Sequence, residues 1–310
     1  MNAKVLERQV KKIIKKYEEE IQYIPDYYLA VNLNHFSPTQ INKPNDVWFH
    51  DYIFRDQEWR RSAKTPNPSM TAGNAAQDGV NEYVFENKNT REAQAFGIRK
   101  YKKNKFLYSD EVLEHYKKNL EIMGACIDNG IRALDEVGIK KEKKVSAELY
   151  CEYFFPGIEI PTIGRTDLMA TSKYIIELKT KWFSKKLAKG YIPKEPDYRY
   201  LCQVAFYWKA TGLEPILIYH TGMPSKDRST KEIKNEFTIF SKDNCELMTP
   251  EAFDDYLEDC RRTLMARQKL LQLSSDPKEI AKYIQPDFDH FMWRDLNEEQ
   301  MKEAKALWER

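Results

Sequence analysis

An α/β chain is predicted, with a helical N-terminal layer, a strand-rich middle and a helical C-terminal tail. Three observations point there. Apolar residues recur at helical steps over 4–22 and 110–137, aromatic and β-branched residues begin to alternate at Val145, and helical periodicity returns after Pro250.

Val5, Val10, Ile13, Ile14 and Tyr17 form the stripe of the first helix, 4–22. The stretch from Asn34 to Met70 reads as loop, interrupted by Pro38, Pro44, Pro66 and Pro68 around the aromatic patch Trp48, Phe49 and Tyr52. Helices follow over 71–87 and 110–137, the second capped by Asp110, with Leu113, Tyr116, Leu120, Met123 and Ile131 facing inward. Strands are predicted over 145–155, 160–170 and 173–182, the last two joined as a hairpin by a very short connection. A helix over 197–211, a buried strand over 213–221 and an edge strand over 235–241 come next. Helices over Pro250–Leu273 and Asn297–Glu309 end the pattern.

Composition narrows the classes. Of 310 residues 42% are hydrophobic and 13% aromatic, with only 25 Gly and Pro, so the chain can bury a core rather than stay disordered. There is no run of 18 apolar residues, which predicts no membrane span, and the lysine-rich start lacks the apolar stretch of a secretory signal. A cytoplasmic location is expected, the host cytoplasm if the source is viral. The five cysteines are far apart without a CxxC pair, which reads as reduced thiols and not a zinc ribbon. No GxxxxGK[ST] occurs, so the chain does not look like an ATPase. The five histidines are scattered without ligand spacing.

Chemistry concentrates in Gly164-Arg165-Thr166-Asp167 and, ten residues after that aspartate, Glu177-Leu178-Lys179. Residues two apart on a strand share a face, so Glu177 and Lys179 point together, opposite to Ile176 and Leu178. A three-residue hairpin loop centred on Ser172 sets Asp167 directly across from Glu177, and a two-residue loop makes them diagonal neighbours. Either places two carboxylates at roughly 5–8 Å. Like charges that close destabilise unless one is protonated or a cation lies between them. Hard oxygen ligands suit Mg²⁺ or Mn²⁺, and a lysine alongside can orient or help deprotonate a bound water. Glu148, with Glu152 on the same face, is a candidate third carboxylate. Gln203 and Tyr207 are four apart on one helix face, placed to hydrogen-bond phosphate. Lys181, Lys185, Lys186 and Lys189 beside Trp182 and Phe183 could track a nucleic-acid strand. Arg60-Arg61 and Arg99 to Lys105 are further basic candidates.

Taken together, Glu148, Gly164-Arg165-Thr166-Asp167, Glu177-Leu178-Lys179 and Gln203-x₃-Tyr207 resemble the PD-(D/E)xK nuclease superfamily. The Q-x₃-Y element is similar to its RecB-like branch of helicase-associated, CRISPR-associated and phage-type exonucleases. Phe36-Ser37-Pro38-Thr39-Gln40-Ile41 resembles the Ser-Pro-Ser-x-Leu element of such domains, and Ala72-Gly73-Asn74-Ala75-Ala76-Gln77 their Gly-x₃-His helix. The resemblance implies a restriction-endonuclease-like α/β fold, with a central mixed β-sheet flanked by helices in α-β-β-β-α-β order. It also implies one nuclease domain over 1–310, with a helical layer to about 140, the core over about 141–245 and the tail over 246–310. Metal is expected at Glu148, Asp167, Glu177 and the Leu178 carbonyl, with Lys179 at the water. DNA is expected at Ser37, Arg165 and Lys181, and Gln203 and Tyr207 are expected to contact DNA or steady the site. Three departures stand out. Thr166 replaces the proline before Asp167, Gln77 stands where many relatives carry a metal-binding histidine, and the cysteines do not fit the four-cysteine cluster of some relatives. No iron–sulfur cofactor is therefore expected. The activity implied is exonucleolytic hydrolysis of DNA in recombination, repair or replication, with a site-specific endonuclease or a catalytically silent binding subunit as alternatives. A single-strand-binding or recombination protein is the partner implied, and a homo-oligomer is compatible with the pattern.

Overall fold

The computed structural model describes residues 24–55, 67–105, 108, 110–139, 145–147, 149–170, 173–182, 192–222, 225–226, 233–234 and 237–309. The predicted helix 4–22, Arg60-Arg61, Glu148 and the run Phe183 to Lys189 lie outside the described residues. The chain forms two compact units, each assembled from separated segments. One comprises Lys64–Cys151 and Arg165–Leu257, the other Met1–Ala63, Glu152–Gly164 and Glu258–Arg310. These do not follow the three consecutive parts expected from the sequence.

The first, the sheet unit, is mixed α/β. Its helices are α1 (Pro68–Phe85), α2 (Thr90–Lys102), α3 (Asp110–Val137) and α4 (Tyr198–Thr211); the first residues of α5 (Pro250–Leu271) also belong to it. Pro68 opens α1 as its first helical residue, where its missing N–H costs nothing, and Asn67 caps it. Helix α2 begins at a capping box in which Asn89 and Glu92 satisfy each other's backbone N–H groups. Asp110, expected to cap, is instead the first residue of α3.

The strands are β1 (Val145–Ala147), β2 (Tyr150–Tyr153), β3 (Thr162–Arg165), β4 (Leu168–Ala170), β5 (Tyr174–Thr180), β6 (Glu214–His220), β7 (Ser225–Lys226), β8 (Ile233–Lys234) and β9 (Phe237–Phe240). Five build one sheet in the order β1-β4-β5-β6-β9, while β2 pairs with β3 and β7 with β8 in separate ribbons. The sheet is mixed: β5 runs parallel to β6, and the pairs β1–β4, β4–β5 and β6–β9 are antiparallel. Two predicted strands are broken. Residues 145–155 divide into β1 and β2, and residues 160–170 into β3 and β4, with Thr166 and Asp167 in the gap. The edge strand predicted over 235–241 is β9, on the border of the sheet.

Period-two alternation sets the two faces. Leu168, Ile176, Leu178, Ile216 and Ile218 join Ala72, Ala76, Val80, Tyr116, Met123 and Ile127 in one core beneath α1–α3. Each buried aliphatic side chain there contributes about 1.5–3 kcal/mol. The odd-numbered residues of β5 therefore face the other layer, where α4 lies against β5 and β6. Helix α4 starts at Asp197, which accepts the Arg199 N–H, and stops at Gly212, whose positive φ of 69° ends it in the left-handed conformation.

The second, terminal unit contains the short helices Asp26–Leu29, Pro38–Ile41 and Asn45–Phe49, a π-helical turn over His50–Phe54, and the later part of α5. Helices Pro277–Ala281 and Glu298–Ala306 follow. Its anchor is Arg267, fully buried, which donates to the carbonyls of Gln40 (3.0 Å), Ile41 (3.4 Å) and Lys43 (2.6 Å) and to Asn45 Oδ1 (3.1 Å). No helix among the described residues is long and apolar enough to cross a membrane.

Candidate active site

Strand β5 is internal to the sheet, so a charged residue on it is buried unless the neighbouring layer leaves room. Its pairing with β4 sets Leu168 opposite Ile176 and Ala170 opposite Tyr174, which leaves three residues, 171–173, in the connection. Continuing that register by one residue sets Asp167 across from Glu177. Asp167 lies in the gap after β3, and its Oδ2 accepts the N–H of Leu178 at 2.8 Å. That carboxylate takes the ladder position where a β4 carbonyl would stand if the strand continued. Its other oxygen, Oδ1, accepts from Gln77 Nε2 of α1 at 2.9 Å. Helix α1 comes close to β5 because Gly73, one turn before Gln77, has no side chain: a Cβ there would lie 3.1 Å from Thr180 Oγ1.

Glu177 is 1% exposed. Its Oε1 accepts from the Lys179 ammonium, and its Oε2 is buried with no hydrogen-bond partner among the described residues. Burial first, and then the facing Asp167, push its carboxyl up to about 8 against the pull of Lys179 and of the Gln203 side chain. Burial opposes the charge on Lys179, but Glu177 and Asp167 outweigh it and hold the ammonium protonated above its ordinary range. Leu178 is buried between them in the opposite core.

Gln203 and Tyr207 of α4 lie beside this cluster. Gln203 Nε2 donates to Tyr207 Oη at 2.8 Å, and Tyr207 Oη donates to the Arg165 carbonyl at 2.7 Å. Tyr207 was expected to contact DNA or to steady the site. It is only 1% exposed and its hydroxyl donates to the backbone just before Asp167, so it braces that turn. Burial holds its hydroxyl proton well above the usual phenol range. The Arg165 side chain is exposed. The Lys181 ammonium lies over the rings of Tyr219 and Tyr200, and burial lowers its pKa.

Glu152 and Ser37 belong to the terminal unit. Glu152, proposed as an alternative third carboxylate, is exposed on the β2–β3 ribbon, a sheet separate from β5. The Ser37 hydroxyl accepts the Gln40 N–H and caps the helix Pro38–Ile41. Tyr200, which the sequence reading did not single out, brings its ring to 4.7 Å from Lys179 Nζ. It stands 21 positions away, and no periodicity links the two.

Could these groups hold a cation? Among the described residues no three His, Cys, Asp or Glu side chains gather as a ligand set. That donor set does not suit a closed zinc site, which takes four ligands. It does suit Mg²⁺ or Mn²⁺, which need only one or two carboxylates and keep several waters. The unpartnered Glu177 Oε2 is the atom such an ion would satisfy.

Comparison with known proteins adds little. No protein-family model matches the chain, and no curated protein does. Among solved structures, a chain from Eubacterium rectale named "putative exonuclease" matches with 13% identity and a TM-score of 0.44, over 88% of this chain and 92% of that one. The protein SSO0001 matches with 15% identity and a TM-score of 0.29, over 82% and 83%. Likenesses this loose assign no function, and the chemistry must come from the site itself.

Proposed function

We propose that this protein is a divalent-metal-dependent nuclease that hydrolyses DNA phosphodiester bonds from DNA ends. The observation that carries the reading is the buried carboxyl of Glu177, one oxygen of which has no partner among the described residues, across from Asp167 and bonded to the ammonium of Lys179. Such an arrangement is unfavourable in an apolar core unless the carboxyl keeps its proton or a cation takes that proton's place, and the site is read as built for the cation.

In this reading Asp167, Glu177 and the Leu178 carbonyl hold Mg²⁺ or Mn²⁺. When bound, that ion supplies a polarised phosphate and an acidified water. The chain's own groups do the rest. The Leu178 N–H and Gln77 amide fix the Asp167 carboxylate, and Tyr207, steadied by Gln203, fixes the backbone leading into it. Lys179, protonated and tied to Glu177, offers a remaining N–H to the attacking water or to the phosphate oxygen on which charge develops. Lys181 and Arg165 add positive charge along the approaching backbone. Gln77 is a poor metal ligand, and its amide is already used on Asp167, which favours a single tightly held ion. Preference for ends follows from the resemblance of Gln203-x₃-Tyr207 to exonuclease motifs.

Digestion of end-labelled linear duplex and single-stranded DNA alongside covalently closed circles, with and without Mn²⁺, tests the reading. Metal-dependent release from linear DNA with circles left intact is expected. Cutting of closed circles would replace it with an endonuclease. No cleavage in Mg²⁺ or Mn²⁺, together with no metal-induced thermal shift, would leave a nucleic-acid-binding subunit.

A further inference from the structure

Lys179 and Lys181 stand two residues apart on one extended segment and so point to the same side. Two ammonium groups held that close repel each other. Here each meets an aromatic ring: Lys179 Nζ lies 4.7 Å from the centre of Tyr200, and Lys181 Nζ lies 4.7 Å from Tyr219 and 5.6 Å from Tyr200. The two rings adjoin, with centres 5.9 Å apart.

This wall is braced at both ends. Tyr219 sits in β6, where its hydroxyl accepts the Asp197 N–H at 3.0 Å. Asp197 caps α4 and holds the Arg199 guanidinium with both carboxylate oxygens, at 3.0 and 2.8 Å. The Tyr200 N–H donates in turn to the Asp197 carbonyl at 2.9 Å, which places that ring in the first turn of the helix.

A lysine ammonium has three N–H donors on a flexible four-carbon stem. At Lys179 one is given to Glu177 and the face of Tyr200 takes up a second direction, which leaves one for a water or a phosphate oxygen. We propose that Tyr200 is a positioning residue for Lys179, its ring holding the ammonium against Glu177 with a single donor aimed at the reacting phosphate. This rests on the nuclease reading of the site for its purpose, but the contact between ring and ammonium can be measured without DNA.

The test uses full-length Tyr200→Phe, which keeps the aromatic face, and Tyr200→Leu, which keeps bulk without it. Tyr200→Met replaces the leucine variant if circular dichroism shows that variant unfolded. In ¹³C-lysine-labelled protein, with the Lys179 signal assigned by its loss in Lys179→Arg, the ε-methylene resonance should be ring-shifted in wild type and in Tyr200→Phe. In Tyr200→Leu it should return to the position of exposed lysines. With Mn²⁺ and end-labelled DNA, kcat should fall about tenfold in Tyr200→Leu, the range of a partly desolvated cation–π contact, and stay near wild type in Tyr200→Phe. KM should change by less than about twofold, since the lost contact acts on the transition state. A Lys179 resonance unmoved in Tyr200→Leu, or a kcat equal to wild type in that variant, overturns the proposal. A wild-type protein that cuts no DNA overturns the nuclease reading instead, and the lysine resonance still decides whether Tyr200 holds the ammonium.

Discussion

A buried carboxylate with one oxygen lacking a hydrogen-bond partner among the described residues, as at Glu177, is the kind of group that costs a few kcal/mol if nothing compensates. With its carboxyl pushed up to about 8, it is largely protonated in the metal-free protein at neutral pH. A cation must displace that proton, so Mn²⁺ affinity should strengthen as pH rises from 6 to 8 and level off above. Calorimetry in buffers of different ionisation enthalpy should report proton release below pH 8 and little above it. Substituting Asp167→Asn, Glu177→Gln or Lys179→Ala should cost on the order of 10²–10⁴ in kcat, measured on end-labelled DNA with binding followed separately. At this scale much was legible in the sequence. Strand arithmetic left Asp167 either directly across from Glu177 or diagonal to it, according to loop length, and the three-residue connection selects the first. Tyr200 was not legible, since its approach to Lys179 depends on how α4 packs on β5 and β6. For Tyr207 two roles stayed open, contact with DNA or support of the site, because a helix face can be read from spacing, but whether it meets solvent or backbone cannot.

Elements obey local rules that the sequence announces unevenly. The prolines at 38 and 68 look like interruptions, yet each opens a helix from its first position, so the stretch 34–70 holds more helix than expected. Helix α2 was missed although its capping box, Asn89 with Glu92 three residues on, is readable. The break between β1 and β2 has no glycine or proline to mark it. By contrast α4 and β6 fall within a residue of expectation, because Asp197 and Gly212 are strong end signals. The crossing of α1 and α2 depends on size alone. A Cβ at Gly97 would stand 2.8 Å from the Ala75 carbonyl oxygen, and one at Gly79 3.0 Å from that of Ala93. Gln77 lies between Ala75 and Gly79, so spreading this crossing pulls its amide from Asp167. Gly97→Val should lower stability by about 1–3 kcal/mol in urea titration, the usual penalty of overpacking. It should also weaken Mn²⁺ binding, whereas Gly124→Ala in α3, whose added carbon would meet its neighbours only at ordinary contact distances of 3.8 and 4.0 Å, should leave metal affinity unchanged.

For the molecule as a whole, the division into two discontinuous units matters more than the order of segments. The terminal unit is closed by long-range contacts, above all those of Arg267, whose guanidinium is stacked 4.6 Å from the Trp48 ring centre and spread over four acceptors. Lysine keeps the charge but cannot reproduce that planar fork. Arg267→Lys should therefore cost about 2–4 kcal/mol in guanidinium denaturation, because buried carbonyls are left without donors. Metal affinity measured on the folded variant separates that effect from the site, since none of the partners of Arg267 belongs to it. The same contact sets a timetable for biosynthesis. Gln40 and Arg267 are separated by 227 residues, and everything from Lys64 to Leu257 is translated before Arg267. On a ribosome the sheet can assemble while the segment around Gln40 still waits for its anchor, so nascent protein carries Trp48 and its aromatic neighbours unshielded until Arg267 is made. A pause or truncation before Arg267 would leave that surface open to chaperones and to aggregation.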